Sequence, residues 1–248
     1  MSLEDDIRFG PDGTTIRHEA RKALEAADCL GVVPTPVDRV MEAANLQEMP
    51  DEALDESFLR KMRSRAGSAL KRAVSKVLGV FDAGARLVYI APVRFPSRRL
   101  FLRLHETGHG WLGWHREVYA VVEDCEKTIA PDVAERFDAE ANLFASEVLF
   151  QIDAFTERVR SEPFSLKAPM KVSKQFGASV YASIRRFVSY HDRSCAVIVL
   201  NPPELLPGDG FRAELRRVVA SRSFREQFGD LSLPSFFTPD DQIGRVVP

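Results

Sequence analysis

Histidine is scarce in this chain, five residues in 248, and cysteine, tyrosine and tryptophan are scarcer still at three, four and two. The cysteines, Cys29, Cys125 and Cys195, are odd in number and far apart. That excludes a disulfide framework or a thiolate zinc site and leaves them as buried thiols. No apolar run approaches the length of a membrane span. The opening Met1-Ser2-Leu3-Glu4-Asp5-Asp6 has neither the basic start nor the apolar centre of a secretion signal, so the expected compartment is the cytoplasm, without a membrane partner. A formal net charge of −2 gives no bulk attraction to nucleic acid, although a local basic surface is compatible with it. Internal repeats and low-complexity runs are absent too. What is present, 45% hydrophobic and 28% charged residues, is enough apolar material for one large or two modest cores.

Against that scarcity, two histidines stand one helical turn apart in Leu104-His105-Glu106-Thr107-Gly108-His109. On a helix, side chains at i and i+4 share a face, so His105 and His109 can aim ring nitrogens at one ion, most simply zinc. Glu106 is rotated off that face, where its carboxylate reaches a water beside the metal and can act as general base. Catalytic zinc takes three protein ligands, so a third is expected from another element. The run from Arg136 to Leu149 is strongly helical, with Phe137, Ala141, Phe144 and Val148 forming an apolar stripe. Glu140 borders that stripe, and a carboxylate beside a buried face needs a partner such as a metal on the facing helix. Glu140 is therefore the expected third ligand.

These two stretches carry a resemblance. The chain resembles the ImmA/IrrE family of zinc metallopeptidases, whose first helix reads close to F-x-x-x-H-E-x-G-H and whose second reads close to E-A-N-x-F-A-x-E-L-L. Here they are Phe101 to His109 and Glu140 to Leu149, in the same order and spacing. The resemblance implies a gluzincin-like site with His105, His109 and Glu140 as ligands and Glu106 as base. It implies as substrate a helix-turn-helix transcriptional repressor, whose cleavage relieves repression. Thr107 stands where Leu or Ile is usual, and Phe150-Gln151 replaces a common Met-Pro, but neither position touches the metal. The likeness spans roughly residues 15 to 190 and includes the Pro34-Thr35-Pro36-Val37 opening.

In chain order, Thr15 is expected to cap a helix from Ile16 to Asp28, and Pro36 to open a short one from Val37 to Ala44. Residues 51–76 read as a charged, solvated helix. Val77 to Val80 and Arg86 to Ile90 read as a hairpin turning at Gly84, a candidate edge for holding a substrate backbone. The metal helix is expected from Ser97 to His115, with Gly108 allowing a second backbone close. Ser161 to Pro169 reads as a loop. Lys171 to Phe187, turning at Gly177-Ala178-Ser179 with Ser179 as cap, resembles a helix-turn-helix. Ala196 to Leu200 is expected as a buried strand and Phe211 to Phe228 as a last amphipathic helix with a basic side.

The expected fold class is α+β: a mostly helical zincin-like core with a small sheet (1–155), a helix-turn-helix-like segment (156–192) and a C-terminal strand and helix region (193–248). The expected activity is zinc-dependent endopeptidase cleavage of a protein substrate, with manganese as the other candidate ion. His115, Tyr119, Tyr89 and His191 are the candidates for binding substrate or stabilising the oxyanion. The rival is a DNA-binding or adaptor protein working through Lys171 to Phe187 with a structural metal. Direct nucleic-acid binding is the less favoured of the two, because the chain lacks positive charge.

Overall fold

The computed structural model describes residues 7–8, 10–49, 79–82, 86–118, 130–207 and 210–241. Their arrangement is α+β, mainly helical with small sheets, and it divides into two compact units, Met1–Ser183 and Ile184–Pro248. Among the described residues no helix is long and apolar enough to cross a membrane.

The first unit opens with α1, Pro11–Ala26. It begins a turn earlier than Thr15 suggested, because Pro11 occupies the first helical position, where a missing N–H costs nothing. Thr15 lies inside the helix and its hydroxyl bonds back to Pro11 O at 3.4 Å. Ile16, Ala20, Ala23 and Leu24 form the buried face. Helix α2, Val37–Ala43, follows Pro36 as expected. The charged helix expected at 51–76 lies outside the described residues, as does Gly84.

A three-stranded sheet has the order β1-β3-β2. Strand β1 (Gln47–Glu48) runs parallel to β3 (Leu87–Ile90), and β2 (Gly79–Asp82) pairs antiparallel with β3, Gly79 opposite Ile90 and Asp82 opposite Leu87. Arg86, at positive φ of 58°, ends the turn into β3. Its guanidinium bonds Gly110 O at 3.2 Å and also Ala44 O, tying the sheet to the helix that follows.

That helix is α3, Pro96–Trp111, and it packs against α4, Pro131–Leu149. Gly108 makes the close approach possible: a Cβ there would lie 3.1 Å from Phe144 Cδ1 and 3.3 Å from Ala141 Cα. The expected stripe on α4, Phe137, Ala141, Phe144 and Val148, is buried. Phe144, Leu143, Leu149 and Leu104 are among the most enclosed side chains, each contributing about 1.5–3 kcal/mol by leaving water. Glu147, also enclosed, is matched by Arg17 of α1 at 3.4 Å.

After α4 come α5 (Ala154–Arg160) and α6 (Lys167–Ser173), a 3-10 turn at Lys174–Phe176, and α7 (Val180–Ser189). The loop expected through Pro169 ends sooner, since Pro169 fits the first turn of α6. The turn chemistry is as expected: Gly177 is left-handed at φ 63°, and Ser179 Oγ accepts the Ala182 N–H at 3.1 Å. Phe150, Phe155 and Phe176 cluster beneath it with ring centroids 4.6, 5.3 and 6.1 Å apart.

In the second unit, β4 (Ala196–Leu200) and β5 (Glu204–Leu206) flank the long β6 (Gly210–Ala220), which also pairs with β7 (Phe236–Phe237). The long amphipathic helix expected from Phe211 to Phe228 is instead this strand followed by a short α8, Arg222–Phe228. The period is two, not 3.6: Phe211, Ala213 and Leu215 turn inward while Arg212, Glu214 and Arg216 turn out. Strand β4 is present, yet it is half-buried throughout and not enclosed.

Candidate metal centre

Helix α3 presents His105 and His109 on one face, with their Nε2 atoms 3.2 Å apart and the rings edge-on at 4.8 Å. Helix α4 supplies the opposing wall. Asn142 Oδ1 lies 3.1 Å from His105 Nδ1, and Asp138, one turn before Asn142, places Oδ1 3.7 Å from His105 Nε2 and 3.8 Å from His109 Nε2. Ligands on a tetrahedral zinc with bonds of ~2.0–2.1 Å stand ~3.3 Å from one another. The three donor atoms of His105, His109 and Asp138, all within 4.8 Å of each other, are therefore spaced as a group that can hold a metal ion.

Glu140 is not in that group. Two residues on a helix are about 200° apart, so the turn of α4 that aims Asp138 and Asn142 at His105 carries Glu140 away from it. Its Oε2 instead accepts from Trp114 Nε1 at 2.6 Å and His115 Nε2 at 2.9 Å, and its Oε1 from Arg136 Nε at 2.8 Å. Trp114 and His115 reach it because α3 ends sooner than expected. Leu112 is extended at φ −66° and ψ 111°, and residues 113–118 form a new helical turn in another direction. His115 is fully enclosed, stacked on Phe137 at 4.0 Å, and its Nδ1 lies 3.0 Å from His109 Nδ1.

The protons in this network follow from its fixed acceptors. Burial pushes the Glu140 carboxyl upward, but His115, Arg136 and Trp114 together hold it down at about 2, so it is ionised and accepts from His115 Nε2–H. His115, kept neutral mainly by burial, then offers an Nδ1 lone pair to His109 Nδ1–H. His109 is likewise neutral, pushed down to about 3 chiefly by burial, and its Nε2 lone pair faces His105 Nε2. Asn142 Oδ1 can only accept, so His105 Nδ1 donates to it. Burial acts downward on His105, but Asp138, Glu106 and Asn142 outweigh it and raise its pKa. A divalent ion held between the two Nε2 atoms would displace any proton shared there.

Glu106 is 3% exposed, and burial raises its carboxyl to about 7, with His105 pulling down and Asp138 pushing further up. Asp138 is more open and held well below the ordinary carboxylate range: burial opposes this, and the two histidines prevail.

Of the remaining candidates, Tyr89 is buried on β3 with its hydroxyl pKa raised by burial and by Asp82. His191 belongs to the second unit, where its Nδ1 accepts the Arg193 N–H at 2.9 Å. Tyr119 lies outside the described residues. Asp138 and Asn142 are absent from the expected set, and the signal that points to them is their i, i+4 spacing, the same as that of the histidines. No protein-family model matches the chain, and no curated protein matches it. The chemistry of the site rests on this geometry.

Proposed function

We propose that the chain is a metal-dependent endopeptidase of zincin-like architecture acting in the cytoplasm, with zinc as its ion and manganese as the other candidate. The observation that carries this reading is the convergence of two imidazole nitrogens and a carboxylate oxygen beside an enclosed second carboxylate, Glu106. A bound ion would supply Lewis acidity, polarising a substrate carbonyl and making water more acidic. Glu106, near neutrality in its pKa, is matched to taking a proton from the attacking water and delivering it to the departing amine. The β2–β3 hairpin is the proposed element for holding an extended substrate by strand addition. The resemblance of the Phe101–His109 and Glu140–Leu149 motifs to the ImmA/IrrE peptidases makes a helix-turn-helix repressor the proposed substrate.

The test is the Glu106→Gln variant, incubated with the repressor encoded beside the gene. It should keep its metal by elemental analysis while cleavage falls about 10²–10⁴-fold. Turnover at the original rate would remove Glu106 as base, and wild-type protein that binds no divalent ion would remove the whole reading.

The rival reading, DNA binding through Lys171 to Phe187, finds less support. A recognition helix needs exposed polar side chains, and along α7 the one exposed position is Val180, with Arg186 only 2% accessible. That burial favours a packing role. Salt-sensitive duplex binding that survives Glu106→Gln would restore the rival.

A further inference from the structure

His115 has no accessible surface, and none of its atoms belongs to the group that can hold the ion. Its ring is nonetheless fixed on three sides. Phe137 stacks on it at 4.0 Å with the planes 17° apart, Glu140 takes its Nε2–H at 2.9 Å, and its Nδ1 faces His109 Nδ1 at 3.0 Å. A ligand imidazole must present one chosen nitrogen as a lone pair, and that choice is made by what its other nitrogen donates to. Here the acceptor is a second imidazole, itself oriented by a carboxylate.

We propose that His115 is a positioning residue for the metal centre: anchored by Glu140, it holds His109 in the Nδ1–H form with the Nε2 lone pair aimed at the ion. This rests on the metal reading above. It also gives Glu140 a role distinct from ligation, since both its oxygens are already engaged, by His115 and Trp114 on one and by Arg136 on the other. The carboxylate left for the ion is Asp138.

The experiment uses the full chain. Zinc binding is titrated calorimetrically for wild type, His115→Phe and His115→Gln. Phenylalanine keeps a ring against Phe137 but has no nitrogen to accept from His109, whereas the glutamine amide oxygen can accept. Affinity should fall about 10–100-fold in His115→Phe, the scale for losing a ligand's outer partner, and return most of the way in His115→Gln. Equal affinity in all three proteins overturns the positioning role and leaves the metal reading standing. A wild type that binds neither zinc nor manganese removes both. Histidine-ring nitrogen NMR on metal-free wild type needs no variant: His109 protonated at Nδ1 is the expected result, and protonation at Nε2 instead would overturn the proposal even if neither variant folds.

Discussion

Asp138 and Glu140 are both acidic, both on α4, and two positions apart, yet they face different partners. Helical geometry separates them: the turn that sends Asp138 and Asn142 toward His105 sends Glu140 toward Trp114 and His115. The roles proposed for them can be separated by experiment. Asp138→Ala removes a donor from the group that can hold the ion and should weaken zinc binding by more than the 10–100-fold expected for losing an outer partner. Competition against a chromogenic chelator measures it. If Asp138→Ala binds as tightly as wild type and Glu140→Ala does not bind, the third ligand is Glu140, as the motif alone suggested. Glu106 is as enclosed as Glu140, but there burial prevails and lifts the carboxyl toward neutrality, whereas His115, Arg136 and Trp114 hold Glu140 down.

The pairing of α3 with α4 brings the histidines and Asp138 together, and it depends on the missing side chain at Gly108. A valine there would put its Cβ 3.1 Å from Phe144 Cδ1 and 3.4 Å from Ala141 O, with two further methyls to place. Gly108→Val should cost about 1–3 kcal/mol in urea unfolding and weaken metal binding as the helices separate. Unchanged stability would mean that the helices slide apart freely. In the second unit, Ser221 does a comparable job for β6 and α8. Its enclosed hydroxyl accepts from Phe224 N at 3.2 Å, capping α8, accepts from Cys195 N at 3.1 Å, and donates to Arg193 O at 2.9 Å. Ser221→Ala strips these bonds, and the contact with Ser223 Oγ at 3.2 Å, and should lower stability by about 1–2 kcal/mol, read by chemical denaturation. A loss of only a few tenths would show that water replaces them.

For the whole chain, the candidate centre lies entirely within the unit Met1–Ser183, so a bound ion stabilises that unit against unfolding. Zinc at a hundredfold excess over its Kd should add about 2.7 kcal/mol to native stability. Thermal unfolding should therefore move upward with zinc and back with chelator in wild type, and should not respond in His105→Ala. An equal response in that variant would place the ion somewhere else. The near balance of charge, −2 overall, provides no long-range attraction to polyanions.

The helical stretches around His105 and Phe144, the small residue at Gly108, the cap at Ser179 and the strand at Ala196 were all legible in the order of residues, because periodicity, turn chemistry and packing size are local properties. The region from Phe211 to Phe228 misled because arginines and apolar residues there suit either period, and pairing with β4, β5 and β7 decided for a strand. Which carboxylate stands by the histidines was not local either. It required the rotation of α4 against α3, the break at Leu112 that brings His115 inward, and the hydrogen bonds that then draw Glu140 away. Sequence by itself determined that two imidazoles and a neighbouring glutamate share one helix. Only the tertiary structure chose Asp138 to face them, since the direction of a side chain across a helix pair depends on how the two helices are turned toward each other.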